Sequence, residues 1–362
     1  MIEKERNDFE GELDSFFISS KLIDWFERNK RDLPWRGIDD PYKIWISEII
    51  LQQTRVNQGW DYYTRFIERF PDVKSLSEAE EVEVLKYWQG LGYYSRARNL
   101  HAAAKMITEQ FAGEFPNDYN VALKLKGIGE YTAAAIVSFV WNKPYPVVDG
   151  NVFRFLSRLL GIEEPIDTGK GKKLFTKIAG KLMDTEHAGI FNQAIMEFGA
   201  LQCIPISPDC NTCPFSDICF AFNSKQITDF PVKQNKVKTK TRHFYYFHIQ
   251  SGEYTYLNKR TSKDIWQNLY EFPCIESEKS LSFEELQQME QFKQLFPLSA
   301  QTQCKLVIHN KKHVLTHRIL YADFYKIILS KEPESLSVFT KIRSKDIDIY
   351  PIHRLMQFYL EK

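Results

Sequence analysis

The sequence predicts an α+β protein in two parts: an all-helical domain over residues 1–222 and a smaller α+β domain over 243–362. Three observations point there. Apolar residues recur at helical spacing from 14 to 222. Four of the six cysteines fall within 203–219, and strand-forming residues dominate beyond 243. A chain of 362 residues also exceeds what one ordinary core organises.

The helical part is carried by three clear faces. Ile44, Trp45, Ile49 and Val56 form the first, and Leu100, Ala103, Ala104 and Ile107 the second. Val152, Phe155, Leu156 and Leu159 follow Asp149-Gly150 as the third. Residues 223–242 then hold Lys233, Lys236, Lys238, Lys240 and Arg242 with little apolar content, which predicts a linker, one suited to an acidic partner. Residues 244–249 and 254–257 predict a β-hairpin turning at Ser251-Gly252, with further strands at 304–309 and 317–328. Segments 282–294 and 352–360 predict helices.

Composition bounds the partners loosely. Hydrophobic residues make up 43% and charged residues 26%, ordinary for a soluble globular protein. The 48 basic and 47 acidic residues leave a net charge of +1, so any nucleic-acid contact must come from a local basic face. No run of about 18 apolar residues predicts a membrane span, and the charged start Met1-Ile2-Glu3-Lys4-Glu5-Arg6 lacks the apolar core of a signal peptide. A cytoplasmic, bacterial-type protein is expected, and a reducing compartment disfavours disulfides.

Cys203, Cys210, Cys213 and Cys219 are spaced x6, x2 and x5. Soft thiolates this close select zinc or an iron–sulfur centre, and spacing alone leaves both open. Leu125-Lys126-Gly127-Ile128-Gly129-Glu130-Tyr131-Thr132 joins two helical segments. Gly127 and Gly129 allow a tight turn, and the N–H groups opening the helix predicted over 132–140 suit a phosphate oxygen.

Two carboxyls stand out. Glu48 lies among apolar residues on a predicted helix, where burial raises its pKa and keeps it protonated, as a general acid requires. Asp149 precedes Gly150 and, read by itself, is an N-cap. A protonated acid beside an ionised carboxylate is the pairing that cleaves glycosidic bonds.

These motifs resemble known families. The cysteine spacing, with Phe191-Asn192-Gln193-Ala194 and Glu197-Phe198-Gly199-Ala200 before it, is similar to the terminal loop of the endonuclease III, helix-hairpin-helix superfamily, which implies one [4Fe–4S] cluster on Cys203, Cys210, Cys213 and Cys219. The hairpin near 122–140 is similar to that superfamily's DNA-binding element. Ser47-Glu48-Ile49-Ile50-Leu51-Gln52-Gln53-Thr54, Gly90-Leu91-Gly92-Tyr93-Tyr94-Ser95-Arg96-Ala97-Arg98-Asn99-Leu100 and Asp149-Gly150-Asn151 resemble adenine-removing DNA glycosylases of the MutY type over roughly 20–222. Lys126 stands where relatives often have proline, and the loop 204–209 has no cation where many relatives are basic, so a direct phosphate role is not assigned to it.

The resemblance implies base excision repair of duplex DNA holding adenine opposite 8-oxoguanine or guanine, by a nucleoid-associated monomer. Glu48 would protonate the nitrogen in adenine's five-membered ring and Asp149 would stabilise the sugar cation, with Tyr131 and Asn151 positioning both. Gln53 and Tyr93 would wedge into the duplex as the base flips out, while Arg31 and Arg36 flank Trp35 near the adenine or backbone. Relatives that also nick the strand use a lysine at position 131; the Tyr131 phenol cannot form a Schiff base, so excision without an efficient lyase step is implied. Trp266-Gln267-Asn268-Leu269-Tyr270-Glu271-Phe272-Pro273 and His313-Val314-Leu315-Thr316-His317-Arg318 resemble the Nudix-like, 8-oxoguanine-reading domain of these enzymes, with Leu315, Thr316 and His317 in place of a commoner Phe-Ser-His. A catalytic Nudix box is absent from the sequence. The alternatives are an oxidised-pyrimidine glycosylase and lyase, which Glu48 and Tyr131 oppose, and a non-catalytic iron–sulfur protein that binds DNA or senses redox state.

Overall fold

Local chemistry starts and stops the helices that matter. Asp40 caps the helix Pro41–Leu51, its carboxylate accepting from the N–H groups of Tyr42 and Lys43, and Pro41 supplies a preset first turn. Residues Tyr42 and 44–50 are all buried, so this helix is enclosed by protein on most sides. The helix Gly150–Leu160 begins at Asp149 and ends at Gly161, whose φ of 64° is the left-handed cap conformation. A side chain at Gly161 would also meet the Phe220 ring 2.5 Å away.

A computed structural model describes residues 15–235, 239–296 and 302–362; Met1 to Arg6, Lys236 and Lys238, singled out in the sequence, lie outside the described residues. The chain forms two compact units. The first comprises residues up to Ser77 together with Ala102–Asn235, and the second comprises Glu78–His101 together with Lys236–Lys362. The segment Glu78–His101 therefore packs with the sheet, whereas a division by chain order groups it with the helices.

In the first unit, Ile18, Leu22, Trp25 and Phe26 of Ser15–Asn29 pack on Val152, Phe155, Leu156 and Leu159 and on Phe191, Ala194, Ile195 and Phe198 of Ala188–Leu201. Phe198 is fully buried at the centre, 4.9 Å from Trp25, 4.8 Å from Phe155 and 5.2 Å from Phe215, all near edge-to-face. Cys203, Cys213 and Cys219 pack against this core. Residues 223–235 do not hang free: Ile166 N–H donates to Val232 O, and the Asp167 carboxylate accepts from the N–H groups of Gln234 and Asn235.

The second unit is built on strands β1 (Lys240–Ser251), β2 (Tyr254–Lys259), β3 (Tyr270–Glu271), β4 (Cys274–Ser277), β5 (Thr302–Leu315), β6 (Arg318–Leu329) and β7 (Thr340–Arg343). Their order is β3-β2-β1-β6-β5, with β4 on β1 and β7 on β2. The expected hairpin exists only as the pairs Gln250↔Thr255 and Ser251↔Tyr254; most of β1 runs parallel to β6 from Lys240↔Arg318 to Gln250↔Ile328. That central position explains why Phe244, Tyr245, Tyr246 and Phe247 are buried in succession rather than alternately. Lys240 and Arg242, expected in a linker, are the first residues of β1, and Arg242 pairs internally with Asp264 and Glu276. The helix expected over 282–294 breaks at Met289 into Phe283–Gln288, opened by a Ser282–Glu285 capping box, and Glu290–Leu295. No helix among the described residues is long and apolar enough to cross a membrane.

Because Phe198 joins three aromatic partners in one core, Phe198→Ala is expected to destabilise the helical unit by about 3–5 kcal/mol, measured by urea unfolding.

Candidate active site

Glu48, Tyr131, Asp149 and Asn151 line one cleft of about 1940 Å³ in the first unit. Glu48 comes from Pro41–Leu51, Tyr131 from the first turn of Glu130–Trp141, and Asp149 and Asn151 from the start of Gly150–Leu160. Glu48 is 7% exposed. Desolvation raises its pKa to about 7; the charge of Asp149 adds to the rise, and a hydrogen bond from the Tyr131 phenol opposes it. The carboxyl therefore holds a proton near neutrality. Burial also pushes the Tyr131 phenol well above its ordinary value, so Tyr131 acts as a donor.

Asp149 is both an N-cap and a wall of the cleft. Its Oδ1 accepts from Asn151 N at 2.9 Å and Val152 N at 2.8 Å, and Oδ2 accepts from Asn151 Nδ2 at 2.7 Å. Burial raises its pKa, while these hydrogen bonds and Arg154 favour the ionised form. The cap geometry thus aims the carboxylate rather than competing with a chemical use of it.

Arg31 and Arg36 also line the cleft, and both are bound to Glu197. Arg31 grips it through Nε at 2.8 Å and Nη2 at 2.7 Å, with its backbone N–H at 3.0 Å, and Arg36 contributes two bonds of 3.2 Å. Burial opposes ionisation of Glu197, but the two arginines win and hold its pKa at about 2. The sequence reading expected the arginines to face adenine or backbone and gave Glu197 no role. The signal was present: an acid within the apolar run Ile195-Met196-Glu197-Phe198 needs cations.

At the mouth of the cleft, Gln53 is exposed with φ 56°, an uncommon conformation for a residue with a side chain. Gly127 turns the hairpin with φ 77°. Gly129 instead has φ −99° and caps the following helix, and a side chain there would meet nothing, so the fold itself does not demand glycine. Lys172, Lys173 and Lys177 of Gly169–Leu182 stand on the cleft wall.

The four cysteines line a second, small cavity with Phe155, Leu159, Phe198 and Phe215. Among the described residues no group of three or more His, Cys, Asp or Glu closes around a single metal ion. Burial raises the pKa of Cys210, Cys213 and Cys219, and charge on neighbouring cysteines raises each further. Two buried arginines missed in the sequence hold the loop. Arg158 lies 3.6 Å from Cys203 Sγ and donates to Ile204 O at 2.7 Å and Pro205 O at 2.9 Å. Arg154 donates to Cys203 O at 2.7 Å, to Gly199 O, and to Asn151 Oδ1 at 2.9 Å.

In the second unit, Tyr93 is 44% exposed with φ 48°, and the Arg96 guanidinium lies 5.6 Å from its ring centre. Leu315 ends β5, and Thr316 and His317 form the turn into β6. The Thr316 hydroxyl hydrogen-bonds the Tyr93 hydroxyl, so two elements read separately in the sequence meet here.

Comparison with known proteins agrees with this architecture. Residues 46–181 match the HhH-GPD superfamily of base excision DNA repair proteins, and 245–362 match the NUDIX domain. An adenine DNA glycosylase of Buchnera aphidicola subsp. Baizongia pistaciae is 35% identical over 313 residues, covering 86% of each chain. One from Arabidopsis thaliana is 38% identical, covering 71% of this chain and 47% of that one. Among solved structures, a thermostable thymine-DNA glycosylase aligns with a TM-score of 0.54 at 26% identity, covering 58% of this chain and 97% of that one.

The raised pKa of Glu48 carries a stability cost with a defined sign. Below about pH 4.5 the group is protonated folded and unfolded, and above about 7 both states are ionised, so the cost grows between these values and then stays constant. Glu48→Gln is expected to stabilise the protein by about 3 kcal/mol at pH 8, and by progressively less as pH falls to 5, in urea unfolding.

Proposed function

The chain belongs to the adenine DNA glycosylase family and is a DNA glycosylase, and from that premise we propose that it hydrolyses the N-glycosidic bond of adenine paired with 8-oxoguanine or guanine in duplex DNA, as a monomer and with little lyase activity. The observation that carries this reading is the buried, near-neutral pKa of Glu48 in the same cleft as Asp149. Adenine leaves as a neutral base only if it gains a proton, and burial lets Glu48 keep a proton up to about pH 7. The Tyr131 phenol orients it. As the bond breaks, positive charge grows on the sugar; Asp149, aimed by Asn151 and with hydrogen bonds that favour its ionised form, stabilises or transiently captures it, and water then completes hydrolysis. Tyr131 cannot supply the amine that a Schiff base requires.

The flipped adenine enters the cleft past Gln53, while Gly127 makes the tight turn and Gly129 leaves room for a phosphate to approach the backbone. The positive φ of both Gln53 and Tyr93 favours the wedge role, since exposed strained residues are kept where function needs them. Arg31 and Arg36 act through Glu197, which they fix at the cleft wall. Leu315, Thr316 and His317 read the base opposite the adenine.

We propose that the cysteine site holds a [4Fe–4S] cluster, as the resemblance of its spacing implies. Four cysteines line one cavity, and three of them pack against the apolar core, which suits a compact centre held on several thiolates. When bound, the cluster would supply four iron–thiolate bonds that fix the loop against the core, and Arg158 beside Cys203 would offset thiolate charge.

Glu48→Gln is expected to slow single-turnover excision of adenine opposite 8-oxoguanine by roughly 10²- to 10⁴-fold while duplex binding persists. In the wild type, excision should fall as pH rises through about 7, the value at which Glu48 loses its proton. Unchanged excision by the variant sinks the assignment, and high-yield borohydride trapping of an enzyme–DNA adduct sinks the monofunctional reading. For the cluster, iron and acid-labile sulfide should co-purify in equal amounts with visible absorption and be lost in Cys213→Ser; zinc in their place would reject it.

A further inference from the structure

The hairpin joining β5 to β6 turns on Thr316 and His317 alone, above the pair Leu315↔Arg318. So short a turn is aimed by whatever holds its last paired residues. Arg318 Nη2 lies 3.1 Å from Asp264 Oδ1, and Lys240 N–H donates to His317 O at 3.0 Å. Asp264 lies midway along the segment between β2 and β3, two residues ahead of Trp266, which has φ 59° and stacks on the fully buried His353 with centroids 3.9 Å apart. The next two residues grip another part of the chain. Gln267 O accepts from Arg98 Nη1 at 2.8 Å, and Asn268 Nδ2 donates to Glu81 Oε1 at 2.6 Å. Glu81 and Arg98 flank Tyr93 in sequence, and the Tyr93 hydroxyl meets Thr316.

Residues 264–268 are therefore a bracket. One end holds the hairpin, the other holds the segment carrying Tyr93, and Trp266 on His353 makes the middle rigid. We infer that Asp264 is a positioning residue for recognition of the base opposite the adenine, acting through Arg318 to aim the Thr316-His317 turn beside Tyr93. This rests on the reading of Leu315, Thr316 and His317 as the residues that meet that base.

The surrounding charges explain why an aspartate suits the place. Its second oxygen accepts from Arg242 and lies 3.6 Å from Arg260 Nη2. Arg242 also pairs with Glu276, and Arg260 with Glu271 at 2.7 Å and Glu276 at 2.8 Å. Arginines and carboxylates alternate through this half-buried network. Loss of the Asp264 charge leaves the arginines in excess and releases Arg318 toward any nearby phosphate, so the hairpin loses its aim while the total positive charge facing DNA is kept.

The test compares adenine excision opposite 8-oxoguanine with excision opposite guanine in single-turnover assays, for the wild type, Asp264→Asn, Arg318→Gln and Arg318→Lys. Arg318→Gln leaves the Asp264–Arg242–Arg260 contacts intact and so reports on aim if Asp264→Asn folds poorly by thermal unfolding. The expected result is a roughly three- to tenfold fall in the 8-oxoguanine preference for Asp264→Asn and Arg318→Gln, the scale of one partly exposed charge pair, with excision opposite guanine unchanged and partial recovery in Arg318→Lys. An unaltered preference in both folded variants overturns the inference, as does an equal loss on both duplexes. A wild type without any 8-oxoguanine preference overturns instead the reading on which the inference rests.

Discussion

The helix Gly150–Leu160 is the strut on which the first unit depends. Its N-terminus is closed by Asp149, whose Oδ1 takes two free N–H groups of the first turn, which fixes the carboxylate in the cleft. Its apolar face, Val152, Phe155, Leu156 and Leu159, anchors the core. Its two buried cations, Arg154 and Arg158, one turn apart, reach the carbonyls of the cysteine loop. One helix thus carries a cleft carboxylate, core packing and the scaffold of the cysteine site. Displacing any of these moves the others, because the strut is rigid.

Two glutamates in the same cleft show how environment divides one side-chain chemistry into two behaviours. Glu48 is buried on a helix of apolar neighbours, and desolvation sets its pKa near 7. Glu197 is equally buried but faces Arg31 and Arg36, and theirs is the stronger effect, which brings it to about 2. A carboxyl meant to give up a proton near neutrality must lack a close cation, and a carboxyl meant to hold two arginines must have them. Had the arginines faced Glu48, its carboxyl would be ionised at neutrality and unable to supply a proton.

The second unit solves a different problem, presentation of a small turn. Its half-buried network of arginines and carboxylates holds the base of the β5–β6 hairpin through Arg318, with the buried His353, Glu271 and Tyr246 at its inner end. Such groups cost desolvation and return geometric definition when every partner is met. The stacking of Trp266 on His353 serves the same end with apolar contact.

Much of the cleft was legible from local signals. An acid inside an apolar helix, an aspartate before a glycine, a glycine pair between helices and crowded cysteines each declare a chemical need that the nearby residues cannot hide. The sequence by itself determined these elements, the helix start at Gly150 and the succession of a helical part and a strand-rich part, because capping, periodicity and thiol spacing act over a few residues. Pairings across long separations were not legible: Glu197 with Arg31 and Arg36, Arg154 with the carbonyls of Cys203 and Gly199, β1 beside β6, Thr316 against Tyr93, and Glu78–His101 with the sheet. Only the tertiary structure decided those, since a buried charge or a strand edge specifies that it needs a partner but not which distant residue the closed chain will bring to it.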